Sequence, residues 1–161
     1  MQLVTRDVTD GEGTKGLETE FDVAVPPDAL LEVLWSPDHF ARLYPDVKEC
    51  RVLRTEESAL EISYRVDAVV REVTYVLRRT LDRAARTIAW RELRGDLRRV
   101  RGGWKLSPGA GDHGAHATYS AFVDVGRFVP TALVRDGAKR KLGEMVERIR
   151  RVAVEIHRAP R

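Results

Sequence analysis

Residues 17–35, LETEFDVAVPPDALLEVLW, change period in the middle. Up to Val25 the stretch alternates. Leu17, Phe21, Val23 and Val25 fall on one side and Glu18, Glu20 and Asp22 on the other, the pattern of a strand with one buried face. Pro26 and Pro27 stop it, because neither can donate to a ladder. From Pro27 to Trp35 the apolar residues take helical spacing, with Leu30, Leu31, Leu34 and Trp35 on one face and proline in the first turn, where it is tolerated. Ser36-Pro37-Asp38-His39 is a second start signal, with the Ser36 hydroxyl available as N-cap and Pro37 at the first helical position. That helix, about Pro37–Leu43, ends before Pro45, which disfavours helix at Tyr44.

Downstream the pattern returns to period two. Six strands are expected at about Val47–Glu56, Leu60–Val66, Val70–Leu81, Thr87–Leu93, Leu97–Leu106 and Ala115–Asp124. Turns fall at Glu57-Ser58, Asp82–Ala85, Gly95-Asp96 and Ser107–Gly114, with a weaker signal at Asp67-Ala68. No helix intervenes, so the sheet is antiparallel. After Gly126 and Pro130, the stretch from about Thr131 to His157 carries Leu142, Met145, Val146, Ile149, Val152, Ala153 and Ile156 at spacings of three and four. Gly137 and Gly143 weaken this helix, and a close approach by another element would account for them. The order predicts an α+β domain. A seven-stranded antiparallel sheet, with two short helices between strands one and two, grips a long C-terminal helix. A curled sheet and one helix cannot meet everywhere, and the gap between them is a candidate cavity.

The chain has 161 residues, 43% hydrophobic and 33% charged. That suffices for one domain and is too apolar for a disordered chain. Residues 17–157 are read as the domain, 158–161 as a tail, and Met1–Gly16 as an N-terminal extension whose order the sequence leaves open. No apolar run approaches the roughly 20 residues of a membrane span, and the first residues lack the apolar core of a leader. A cytoplasmic protein is the expectation. The lone Cys50 excludes an internal disulfide. The net charge of +3 is carried mainly by arginine. It fits either a compositional bias or a basic patch for nucleic acid or phospholipid, and its densest cluster lies on the last helix at Arg148, Arg150 and Arg151.

The segments LETEFDVAVPPDALLEVLW, FARLYPDVKECRVL, IAWRELRGDLRRVRGGWKLSP and HATYSAFVDVGRFVPTALV occur in an order and spacing that resemble the START-like superfamily, which includes polyketide cyclases/dehydrases and lipid-transport proteins. The resemblance covers about residues 17–157 and implies a helix-grip fold. It leaves the function open among carriers, cyclases and ribosome-associated factors.

A tight hairpin at Asp82–Ala85 sets Arg79 opposite Ile88, Leu77 opposite Trp90 and Tyr75 opposite Glu92. One face then holds Val73, Tyr75, Leu77, Leu81, Ile88 and Trp90, together with Arg79 and Glu92. Either those two charges sit at the rim in solvent, or they are polar handles in an apolar pocket. In the next strand, Val100, Trp104 and Leu106 differ in parity from Leu97, Arg99 and Arg101, and a bulge at Gly102-Gly103 is the preferred resolution. Tyr64, Tyr75, Trp90, Trp104 and Tyr119 form an aromatic set that serves as core or as cavity wall. With Leu77, Arg79, Ile88, Glu92, Met145 and Ile149, they are the candidate ligand residues.

Signals for cofactor chemistry are sparse. Gly11-Glu12-Gly13 and Gly102-Gly103 lack the setting of a phosphate loop. His113 and His116 flank a glycine-rich turn without further metal ligands and read as a solvated loop pair. No metal, no cofactor and no catalytic residue is assigned. The expected function is binding or transport of a small hydrophobic molecule, such as a lipid, quinone or polyketide-like ring. The alternatives are an aromatase/cyclase or dehydratase using Arg79, Tyr75, Tyr64 and Glu92, or a ribosome-associated factor, with a nucleic-acid partner not favoured.

Overall fold

The structure is a computed structural model that describes residues 4–67, 71–109, 111, 113–124 and 131–159. Eight strands form among them: β1 (Val4–Thr9), β2 (Lys15–Val23), β3 (Val47–Thr55), β4 (Ala59–Asp67), β5 (Glu72–Asp82), β6 (Thr87–Gly95), β7 (Arg99–Pro108) and β8 (Ala115–Asp124). They make one antiparallel sheet in the order β1-β2-β8-β7-β6-β5-β4-β3. Helix α1 (Pro27–Trp35), a 3-10 turn at Pro37–His39 and the single turn α2 (Phe40–Leu43) follow β2, and α3 is Thr131–Arg158. The helix-grip order is as expected. The Ser36 hydroxyl caps nothing, however. Instead the Ser36 N–H donates to the Glu32 carbonyl at 3.1 Å and ends α1. The expected turn residue Ala68, the strand start at Val70, and Gly126 and Pro130 lie outside the described residues.

The sheet has one strand more than expected. Val4–Thr9 pairs with β2 from Val4↔Glu20 to Thr9↔Lys15. As an edge strand it is mostly exposed, so its sequence needs no strong alternation. Polar contacts hold it. The Thr5 and Thr19 hydroxyls are 3.1 Å apart, and Arg6 donates to Glu18 and Glu20. The Asp10 carboxylate closes the β1–β2 turn by accepting the N–H groups of Glu12 and Thr14.

The β5–β6 hairpin is looser than a tight turn. Arg79 pairs with Trp90, Leu81 with Ile88, and Leu77 with Glu92. Arg83–Arg86 form the loop, where the Asp82 carboxylate accepts the Ala85 N–H at 3.0 Å and Arg86 takes a φ of 55°. A slip of two residues preserves parity, so the face read as apolar is still the inner one. The irregularity lies beyond Leu77, where β6 gains a residue and Tyr75 comes to face Gly95. No bulge occurs at Gly102-Gly103, since β7 keeps regular register with both neighbours. Val100, Trp104 and Leu106 face inward, and the glycine is needed for space: a Cβ on Gly102 would strike the Ser120 carbonyl and come within 2.7 Å of the Trp90 ring.

The apolar stripe of α3 packs as predicted. Ile149, Val152 and Ala153 are fully buried with Leu30 and Leu34 of α1 and with Trp104 and Leu106 of β7. Arg150 is not a free surface cation. Its Nε donates to the Asp22 carbonyl at 3.0 Å, and its guanidinium lies 5.7 Å from the Phe21 ring. Gly143 answers to no close approach, because a Cβ there would meet nothing within 4 Å. His116 belongs to β8 rather than a loop and bridges Asp22 and Glu20, with Nδ1 at 2.9 Å and Nε2 at 3.0 Å.

Three outcomes follow for urea unfolding. Ile149→Ala should cost ~2–5 kcal/mol, and a loss below about 0.5 kcal/mol would mean α3 faces solvent there. Gly143→Ala should stabilise by ~0.4–1 kcal/mol, through the unfolded chain's lost freedom. The bonds of His116 to Glu20, then to Asp22, raise its pKa above the ordinary 6.5. Their stabilisation is therefore complete below that value and is lost as pH rises through the raised folded-state pKa. The stability advantage of the wild type over His116→Gln should be larger at about pH 5.5 than at about pH 9, and a flat difference would contradict the bridge.

Candidate ligand cavity

The inner face carries two apolar clusters instead of one. The larger joins α1 and α3 to β2, β7 and β8. The smaller is Phe40, Leu60, Ile62, Tyr64, Leu77 and Val100, and none of the α3 residues whose side chains are described belongs to it. Trp35, Tyr44 and Trp90 are half-buried and pack against both.

Arg79 stands at this junction with 3% of its surface exposed. Its Nη2 donates to the Leu34 carbonyl at 3.1 Å and its Nη1 to the Trp35 carbonyl at 3.3 Å. These carbonyls end α1 and have no partner within the helix. A cation there also complements the helix dipole. The guanidinium lies 4.6 Å from the Phe40 ring centre, 5.4 Å from Trp35 and 6.0 Å from Trp90. Arg79 is therefore neither at a solvated rim nor a free handle. It ties the α1–α2 segment to the sheet.

Where the clusters part, a cavity of about 1270 Å³ opens between the sheet and α3. All four tyrosines of the chain line it: Tyr44, Tyr64, Tyr75 and Tyr119. Leu77, Arg79 and Trp90 complete the sheet wall, and Ala138, Lys141, Leu142 and Met145 supply the helix wall. Tyr64 and Tyr75 pack at 5.6 Å between ring centres, and Trp90 and Tyr119 at 5.7 Å. Burial raises the pKa of every one of these phenols, against a weaker opposing effect of the Arg79 charge on Tyr44, Tyr64 and Tyr119. The phenols stay neutral and present O–H donors to an apolar space. Asp46, Arg98, Arg99, Arg101 and Glu12 also line the cavity, with Arg99 paired to Glu12 at 2.5 Å.

Of the candidates from sequence, Tyr64, Tyr75, Leu77, Arg79, Trp90, Tyr119 and Met145 come together on the cavity wall. Ile88, Trp104 and Ile149 do not, because they are buried in the closed core. Glu92 is engaged elsewhere. It accepts the Val100 N–H at 3.1 Å and lies 3.4 Å from Arg101, where β7 leaves the β6 ladder. The Trp104 indole N–H is buried and meets no acceptor in hydrogen-bond geometry among the described residues, although it is near enough to Tyr44 to offset slightly the rise in that phenol's pKa. The sequence reading missed Tyr44, Ala138 and Lys141. Ala138, Lys141 and Leu142 lie seven, four and three residues before Met145, so extending the helical stripe would have found them.

A model of the family described as polyketide cyclase/dehydrase and lipid transport matches residues 23–150, and the chain belongs to this family. Comparison of the sequence with curated proteins finds no match. Among solved structures, the chain is similar to the Zhui aromatase/cyclase from Streptomyces sp. R1128 at a TM-score of 0.76 and 20% identity, covering 97% of this chain and 98% of that one. It is similar to a STAR-related lipid transfer protein fragment from Xanthomonas axonopodis at 0.74 and 17%, covering 94% and 93%. A START superfamily protein from Mycobacterium smegmatis matches at 0.73 and 14%, covering 96% and 98%. At these identities the likeness shows the fold. No described helix is long and apolar enough to cross a membrane, and among the described residues no group of three His, Cys, Asp or Glu side chains could hold a metal ion.

Arg79→Met removes both donors from the end of α1 and should cost about 1–3 kcal/mol, the scale of stranding buried acceptors. Arg79→Lys should recover little of it, since an ammonium lacks the planar fork that spans two carbonyls. A thermal or urea midpoint equal to wild type in Arg79→Met would contradict the tie.

Proposed function

We propose that this chain binds and carries a small hydrophobic molecule bearing oxygen acceptors, such as a lipid, quinone or polyketide-like ring, in the cavity between the sheet and α3. The observation that carries this reading is the wall itself. Every tyrosine of the chain lines one apolar space with Trp90, Leu77 and Met145. Flat aromatic walls favour rings over disordered chains, and neutral phenols donate to carbonyl or quinone oxygens. Family membership agrees with ligand binding in general.

Similarity to an aromatase/cyclase supports a second reading, in which the same cavity shapes a reactive polyketone. Such chemistry needs a proton donor or acceptor beside the substrate. Two of the four groups considered for it are committed elsewhere, Arg79 to the carbonyls of α1 and Glu92 to β7. Burial raises the pKa values of Tyr64 and Tyr75, so their phenolates are not populated near neutral pH and their hydroxyls are weak acids. The carrier reading therefore stands first.

Nile red, an apolar dye that brightens in dry surroundings, should bind at one molecule per chain and alter tryptophan emission through Trp90. Leu77→Ala should admit larger ligands, and Tyr75→Phe should weaken a quinone probe by about three- to tenfold while leaving a hydrocarbon probe little affected, as for one lost hydrogen bond. No uptake of either probe class would refute the carrier reading.

A further inference from the structure

Trp104 is 2% exposed, yet its indole N–H meets no acceptor in hydrogen-bond geometry among the described residues. Arg101 and Arg150 also strand one nitrogen each, but both guanidiniums bond through another. An indole has a single N–H, and leaving it buried and unpaired is costly. Trp104 backs the cavity wall. Its ring centre lies 4.7 Å from that of Tyr119, which lines the cavity together with Tyr44.

Tyr44 is held firmly at the end of α2. Its N–H donates to the Phe40 carbonyl at 2.9 Å, and its carbonyl accepts the Val47 N–H at 3.2 Å. Its ring meets the Phe40 ring edge-on at 5.4 Å, and the Arg79 guanidinium lies 4.6 Å from the other partner, Phe40. A phenol can both give and take a hydrogen bond, and its neighbours decide which it offers to a third group. The two polar groups that act on the Tyr44 phenol are the Arg79 cation and the Trp104 N–H. Both attract the lone pairs of its oxygen and neither can accept its proton. The carbonyls beside Arg79, those of Leu34 and Trp35, already accept from that guanidinium.

We propose that Trp104 donates to the Tyr44 oxygen and so turns the Tyr44 O–H into the cavity, where it selects ligands bearing a carbonyl-type acceptor over ligands whose polar group is itself a donor. The proposal rests on the cavity being the ligand site. It names the ligand's chemistry at this corner as a ketone, quinone or ester oxygen. Tyr44 makes the contact, and Trp104, which lies in the closed core, is a positioning residue acting through it.

Three tricyclic probes of nearly one shape test this in the full chain: fluorenone, which only accepts, carbazole, which only donates, and fluorene, which does neither. Affinities are read from quenching of tryptophan emission. Tyr44→Phe should weaken fluorenone by about three- to tenfold and leave carbazole and fluorene within about twofold, as for one lost hydrogen bond. Trp104→Phe keeps an aromatic ring in the core and frees the Tyr44 hydroxyl to turn. It should shrink the preference for fluorenone over carbazole by at least about threefold, whereas a packing defect alone would weaken all three probes alike. In Tyr44→Phe, weaker carbazole with unchanged fluorenone would mean that the hydroxyl accepts, and unchanged affinity for both would mean that it is idle. Either result overturns the proposal while the cavity reading stands. If none of the three binds, the cavity reading falls and the selection with it, and the Trp104–Tyr44 pair is decided in the unliganded chain. There the Trp104 indole N–H resonance, identified among the three tryptophans by its loss in Trp104→Phe, should move upfield and exchange faster with water in Tyr44→Phe. An unmoved resonance would overturn the pair.

Discussion

A curled sheet of eight strands has more apolar face than one helix can cover. At about 4.8 Å per strand the sheet is roughly 34 Å across, while a helix with its side chains is about 10–12 Å wide. Helix α3 is long enough, with 28 residues, but it lies over β2 and against α1 and α2. Helix α1 takes the neighbouring strip and Phe40 of α2 reaches the β4–β5 side. What remains uncovered is the cavity. The division of the described core into two clusters follows from the same mismatch.

Such an arrangement needs a rigid tie where the clusters meet, and Arg79 supplies it. A buried charge is costly unless its donors are used. Here they are used on the two carbonyls that α1 leaves unpaired, with aromatic faces of Trp35, Phe40 and Trp90 around the cation. Fixing the end of α1 also fixes Tyr44 and the Asp46 turn, which follow within a few residues and form one wall of the cavity. Beside the charged groups that also line it, among them Asp46 and Lys141, the cavity then presents four phenol hydroxyls, suited to holding a mostly apolar molecule by its oxygens.

Much of this was legible in residues read locally. The change of period at Pro26-Pro27, the alternation of the middle strands and the stripe ending at Ile156 define the fold, and parity alone placed Tyr75, Leu77 and Trp90 on the inner face. What was illegible depends on distant partners. Arg79 meets a carbonyl 45 residues away, and Glu92 meets a backbone N–H that is free only because β7 leaves the ladder there. β1 escaped notice because an edge strand held by Arg6 and Thr5 needs little apolar patterning. Trp104 shares its inward facing with Trp90 but lies under α1 and α3, and facing does not reveal which part of a curled sheet a helix covers.

The central claim is that the cavity is a ligand site, and native mass spectrometry of the protein purified from its own host tests it most directly. Wild type should carry a stoichiometric small-molecule adduct that leaves as a neutral or singly charged hydrophobic species on collisional activation. Leu77→Trp, which fills the space beside Tyr75 and Trp90, should fly without it. A bare mass for wild type under the gentlest conditions, or an adduct that persists unchanged in Leu77→Trp, would contradict the account.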